Sequence, residues 1–175
     1  MNVGVLVSGS GTNLQALLDA GARGELGAAR LVVVVSNVAG APALARAAKA
    51  NVATEVLPHG QYASRAAFDE ALVATLRRHG VELVALAGFM RLVTPAFLGA
   101  FPGRVVNVHP ALLPAFPGVH AQKQALDYGA RVTGCTVHFV DEGCDTGPII
   151  AQAVVPVLDG DDEAALTARF LAEEH

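Results

Sequence analysis

The sequence predicts an α/β fold: a Rossmann-like three-layer sandwich with a mostly parallel sheet and an antiparallel C-terminal part. Three observations predict it. Up to His109, short β-branched runs alternate with alanine-rich helical stretches, the pattern that βαβ units leave in a sequence. The strand-like runs are apolar almost throughout, as from Leu31 to Val35, which fits strands covered on both faces. Late in the chain, Thr133 to Val140 and Ile149 to Val157 follow one another without a helix between them, so that part of the sheet is mixed or antiparallel.

The elements follow in order. Val3 to Val7 reads as a strand and Leu14 to Ala20 as the helix after it. Leu31 to Val35 is the second strand. Pro42 to Ala50 is a helix with proline in its first turn, where a missing N–H costs nothing. Val52 to Leu57 is a short third strand. Ser64 is the expected N-cap of a helix running to about His79, with Gly80 ending it. Leu83 to Ala87 and Arg104 to Val108 are further strands, with a short helix near Pro95 between them. A proline-rich loop, His109 to Gly118, precedes a helix around Gln122 to Tyr128. Asp162 and Glu163 favour the start of a final helix. Residues 1–175 read as a single domain, and the last helix is still running at His175, so a C-terminal segment is expected to follow.

Bulk properties bound the function. The chain is 53% hydrophobic, yet no apolar run approaches the roughly 20 residues that a membrane helix needs. Met1-Asn2 leads straight into a strand without a basic leader, and the expected location is cytoplasmic. Two cysteines, Cys135 and Cys144, suit free thiols better than a disulfide framework. The net charge is −4, with no basic run and no tryptophan, which argues against nucleic acid.

Ser8-Gly9-Ser10-Gly11-Thr12-Asn13 joins the first strand to the first helix. Glycine lets the backbone turn tightly and approach a ligand. The helix N-terminus adds unpaired N–H groups and a partial positive charge, so phosphate suits the turn. A dinucleotide fingerprint would want a small residue where Leu14 stands, and an acid where Ser36-Asn37 stands. No Walker lysine follows either. A plain strand-to-helix turn without a ligand is the competing reading.

Asn107-Val108-His109-Pro110 lies at a strand end, where ligands of open α/β sheets bind. Residues two apart share one side of a strand, so Asn107 and His109 can address one point. Asn supplies a neutral N–H for a developing oxyanion, and His a proton donor or acceptor near neutral pH. Asp145, in a turn-rich loop, is able to fold back and favour protonated His109. A strand-capping histidine and an ordinary turn aspartate are the simpler alternatives. No metal is expected: His109, His120 and His138 lack zinc-site spacing. His138, between apolar neighbours, reads as packed or hydrogen-bonded. Ser8 and Ser10 do not form a nucleophile elbow.

Five segments, taken together, resemble the folate-dependent formyltransferase family, in its glycinamide ribonucleotide formyltransferase branch. They are Val7 to Gln15, Leu86 to Leu92, Asn107 to Pro114, Gly134 to Val140 and Asp145 to Ile150. The resemblance runs from Val3 to about His175, and five segments in the right order and spacing make it specific. It implies formyl transfer from 10-formyltetrahydrofolate, as cosubstrate, to the amine of glycinamide ribonucleotide in purine synthesis. No metal, no nucleic acid and no membrane are expected, on the spacing, charge and apolar run lengths given above.

Roles carry over residue by residue. The resemblance gives Gly11, Thr12 and Asn13 the nucleotide phosphate and Glu174 a further nucleotide contact. Asn107, His109 and Asp145 become the catalytic group. Arg65, Met90, Arg91, Leu92 and Val93 line the folate pocket, with Asp141, Glu142, Gly143, Cys144 and Asp145. Leu171 departs from the pattern, since certain relatives place a lysine there near the phosphate; either Arg169 compensates or the contact is absent. Methionyl-tRNA formyltransferase is similar through the Leu-Leu-Pro region but has an extra C-terminal domain. Formyltetrahydrofolate deformylase has an added N-terminal one. Hydrolysis of formylfolate and a non-catalytic folate- or phosphate-binding module remain the alternatives to transfer.

Overall fold

A computed structural model describes residues 1–175. Seven strands form one sheet in the order β3-β2-β1-β4-β5-β6-β7. The chain divides into two compact units, Met1–Val106 and Asn107–His175.

The first unit carries β1 (Asn2–Val7), α1 (Thr12–Ala22), β2 (Arg30–Ser36), α2 (Pro42–Lys49), β3 (Ala53–Val56), α3 (Arg65–Arg78), β4 (Leu83–Leu86) and α4 (Pro95–Ala100). β5 (Val105–His109) starts here and runs into the second unit. β1 pairs in parallel with β2 and with β4, and β2 with β3. Val5, Leu6, Val7, Val33 and Val34 are wholly buried, as their unbroken apolar runs predict. Each such side chain contributes about 1.5–3 kcal/mol when removed from water. Phe68, Leu72 and Leu76 recur every four residues and form the buried stripe of α3. A Cβ on Gly4 would stand 2.8 Å from Leu76 Cδ2, so glycine in β1 lets α3 approach closely.

Caps fix where these elements begin. Ser64 Oγ accepts the Ala67 N–H at 3.1 Å, as expected of the α3 N-cap. Thr94 Oγ1 accepts the Phe97 N–H at 3.3 Å, and Pro95 fills the first position of α4. The buried Asp69 carboxylate accepts the Thr94 N–H at 2.6 Å, pinning the stretch that leads out of Met90–Val93. One element was not expected: a single 3-10 turn, His59–Gln61.

The second unit holds α5 (Ala121–Tyr128), β6 (Val132–Phe139), β7 (Ile149–Pro156) and α6 (Glu163–Glu174). β6 and β7 are antiparallel, with Thr133 opposite Val155 and a register shift between Val137 and His138. Leu166 and Phe170, one turn apart on α6, are wholly buried against Cys135 and Val155. Asp162 Oδ1 accepts the Ala165 N–H at 2.8 Å and caps α6. No helix is long and apolar enough to cross a membrane.

Candidate active site

In the first unit, the turn after β1 borders a cleft of about 210 Å³ lined by Ser8 to Asn13, Ala87, Gly88 and Met90. Gly11 is the N-cap of α1, with φ 74° and no side-chain cap. Its left-handed backbone explains why α1 starts at Thr12, two residues before the expected Leu14. The first amides of α1 are therefore not claimed by a capping side chain, and they carry the helix's partial positive charge. The turn is held from beneath by α2. The Ala43 N–H donates to the Gly9 carbonyl at 3.2 Å, and Arg46 Nε to the Ser10 carbonyl at 2.8 Å. Asn13 Oδ1 is buried and has no hydrogen-bond partner within the chain.

Ser8 joins three segments. Its hydroxyl donates to Asn37 Oδ1 at 2.6 Å and accepts the Met90 N–H at 2.9 Å. Asn37, standing where a dinucleotide site would carry an acid, is thus a structural partner of the turn. Met90 and Leu92 are exposed at 73% and 56%, an open apolar wall. The Arg91 guanidinium lies 5.2 Å from the Phe68 ring centroid, and its Nε is buried without a partner. Arg65 is exposed at the first position of α3.

In the second unit, Asn107 and His109 lie two apart at the end of β5, and His109 is 3% exposed. The His109 Nε2 lies 2.9 Å from the Phe116 carbonyl, which can only accept, so Nε2 donates. Nδ1 faces Asp145 Oδ2 at 3.3 Å. Both ring nitrogens therefore face acceptors, and the imidazolium form satisfies both at once. Asp145 has φ 56°. Its Oδ2 also accepts the Gly118 N–H at 2.8 Å, which ties the loop after β5 to the loop between β6 and β7.

Two anchors hold the first of these loops. Thr136 Oγ1 donates to the Ala111 carbonyl at 2.6 Å and accepts the Leu113 N–H at 3.1 Å. Gln152 Nε2 donates to the Leu113 carbonyl at 2.9 Å. Within the second loop, Asp141 Oδ1 accepts from the Gly143 N–H at 3.1 Å and from Thr146 Oγ1 at 2.7 Å. A Cβ on Gly147 would collide with the Phe139 carbonyl. Glu142, Gly143 and Cys144 are exposed on this loop. The Cys144 thiol, 3.6 Å from Asp145 Oδ2, is pushed up first by partial desolvation from the surrounding loop, then by the Asp145 charge and their hydrogen bond.

His138, expected to be packed or hydrogen-bonded, was given no place in the site. It is packed, at 2% exposure, but it also touches the group. Its Nε2 lies 3.3 Å from Asn107 Nδ2 and 3.6 Å from Asp145 Oδ1. The signal was its place near the end of a strand that leads into the Asp145 loop. Glu174 lies in the last turn of α6. Arg169, weighed as a phosphate partner, gives Nη1 and Nη2 to Asp161 at 2.7 and 3.0 Å, and Nη1 also to the Pro156 carbonyl.

The profile of the family described as Formyl transferase matches residues 1–175. A trifunctional purine biosynthetic protein adenosine-3 from Chironomus tentans is 51% identical over 174 residues, 99% of this chain and 13% of that protein. The chain spans only 13–17% of the length of five such trifunctional relatives. The phosphoribosylglycinamide formyltransferase of Escherichia coli is 45% identical over 176 residues, covering all of this chain and 82% of that protein. A crystal structure of glycinamide ribonucleotide transformylase 1 from Symbiobacterium toebii superposes with a TM-score of 0.97 at 55% identity, over 99% of this chain and 82% of that one.

Proposed function

Because this chain belongs to the formyl transferase family, we propose that it moves the formyl group of 10-formyltetrahydrofolate to the amine of glycinamide ribonucleotide. The products are formylglycinamide ribonucleotide and tetrahydrofolate, a step of purine synthesis. The observation that carries the reading is a histidine whose two nitrogens face a carboxylate and a carbonyl, next to a strand-end asparagine. Acyl transfer to an amine develops negative charge on the carbonyl oxygen, and preorganised donors aimed at that oxygen stabilise it. The names of the 45% identical relative and of the 55% identical solved structure support the same substrate.

The amine lone pair attacks the formyl carbon, and the C=O electrons move to oxygen. Asn107 Nδ2–H and His109 Nε2–H stabilise that oxyanion, which takes the position of the Phe116 carbonyl as acceptor for Nε2. One good donor contributes about 3–4 kcal/mol. Asp145 Oδ2, 3.3 Å from His109 Nδ1, is placed to balance positive charge on the ring. The intermediate then collapses: the bond to folate N10 breaks, N10 takes up a proton, and the amine nitrogen loses one. No covalent enzyme intermediate is needed, because an amine is already a competent nucleophile. Holding both substrates in register supplies much of the remaining rate.

Gly11, Thr12 and Asn13 hold the phosphate by backbone amides, and Glu174 contacts the nucleotide. Arg65, Met90 to Val93 and Asp141 to Asp145 receive the folate, whose flat pterin suits an apolar wall edged with backbone polar groups. The proposed setting is cytoplasmic, in keeping with two free cysteines. Formylfolate supplied with and without glycinamide ribonucleotide tests the reading. Turnover that requires the amine is expected. Amine-independent turnover selects hydrolysis, and tight binding without turnover selects a non-catalytic module.

A further inference from the structure

We propose that His138 is a positioning residue for this transfer: as a neutral ring protonated on Nδ1, it fixes which way the Asn107 amide faces. The proposal rests on the reading of Asn107 as an oxyanion donor. The starting point is a carbonyl. His138 Nδ1 lies 2.8 Å from the Phe139 carbonyl, a group that can only accept, so Nδ1 carries the hydrogen. Nε2 stands 3.3 Å from Asn107 Nδ2, an amide nitrogen that can only donate, so Nε2 carries the lone pair. Each end of the ring thus dictates the state of the other. At 2% exposure, no solvent replaces either partner.

The amide orientation matters because its two ends act oppositely on an oxyanion. With Nδ2 turned to His138, one amide hydrogen is used there and the second is left for the reacting oxygen. Turned over, the amide would set its oxygen against the Nε2 lone pair, an unpaired and repulsive arrangement in a buried place. The charged group facing the ring is Asp145, whose Oδ1 stands 3.6 Å from Nε2. That carboxylate also faces His109 Nδ1 at 3.3 Å and accepts from the Gly118 N–H. A neutral His138 leaves the Asp145 charge to His109. A charged His138 would compete for it and would turn Asn107 round.

Two substitutions separate positioning from bulk structure. His138→Asn puts its side-chain nitrogen near the Nδ1 position and keeps a donor for Phe139, but offers Asn107 nothing. His138→Gln reaches the Nε2 position and offers Asn107 an accepting oxygen. With folding checked by melting, His138→Asn should lower kcat about 10²-fold, in the range for losing an oxyanion donor, with both KM values nearly unchanged. His138→Gln should recover about ten-fold of that. Ring 15N spectra of the full chain at neutral pH should show His138 in the Nδ1–H form, and Asn107→Ala should move its Nε2 signal. An Nε2–H or doubly protonated His138, or folded Asn and Gln variants of equal kcat, overturns the proposal. A wild-type chain with no transfer activity overturns the functional reading instead, while the spectra still decide the tautomer.

Discussion

Gly11→Ala is a one-methyl perturbation whose size can be worked out beforehand. An ideal Cβ on Gly11 would lie 2.6 Å from Ala43 Cβ and 2.8 Å from Ala43 Cα. Its φ is 74°, a region that costs an L-residue about 1–2 kcal/mol. Forcing the turn and α2 apart adds about 1–3 kcal/mol of overpacking. Loss of glycine's freedom in the unfolded chain returns about 0.4–1 kcal/mol. The net destabilisation is about 1–5 kcal/mol. Gly9→Ala is the matched control, because a Cβ there meets nothing within 4 Å. Urea unfolding of the three chains reads the stability, and steady-state kinetics read both KM values. Gly11→Ala should lose stability and raise the nucleotide KM, with the folate KM nearly unchanged. Equal stability of the two variants would refute the packing argument. Equal weakening of both substrates would refute the assignment of the turn to phosphate.

Asp145→Asn keeps the shape and removes the charge that His109 Nδ1 faces at 3.3 Å. The fraction of charged His109 at neutral pH should fall in ring 15N spectra, and kcat should drop about 10²-fold or more; an unchanged His109 signal would falsify the pairing even if activity vanished. The same variant should speed alkylation of Cys144, since Asp145 helps to push that thiol up; an unaltered rate of iodoacetamide labelling contradicts this. Asp161, held down from 3.8 to about 2 by hydrogen bonds from Arg169 and the Leu158 N–H, binds its proton later when folded than when unfolded. Its contribution is therefore full above about pH 4 and lost as the pH falls through about 2. Melting temperatures of wild type and Asp161→Asn should differ at pH 5 and converge by pH 2. A gap that stays constant with pH would show that the carboxylate charge is not the cause.

Element boundaries were legible because local chemistry sets them. Ser64, Pro42 and Asp162 each stand where the caps and first turns are found. The antiparallel end was legible from two strand-like runs without a helix between them. The 3-10 turn at His59–Gln61 was not, since three residues carry no period. Within the site, Asn107 and His109 follow from strand alternation, which is a local rule. That Asp145 faces His109 depends on how two loops cross, with Gly118 donating to the same carboxylate oxygen. No periodicity encodes such a contact. His138 was hidden for the reverse reason: apolar neighbours on its own strand masked a ring whose partners, Asn107 and Asp145, lie elsewhere in the chain.

The Ser8 hydroxyl has one proton, and it is committed to Asn37 Oδ1, so Met90 can meet it only as a donor. The turn after β1 and the segment after β4 are therefore joined at one residue, by the Ser8 hydroxyl and by the Ser8 N–H, which donates to the Gly88 carbonyl at 3.1 Å. Anything that shifts one of them drags or breaks the other. If one substrate leans on the turn and the other on Met90, each must then change the other's affinity by the same factor, since linkage between binding sites is reciprocal. Alanine at position 8 would remove the hydroxyl's part of that tie and keep the backbone bond to Gly88. Each substrate would then feel the other's arrival less, by whatever share the hydroxyl had carried.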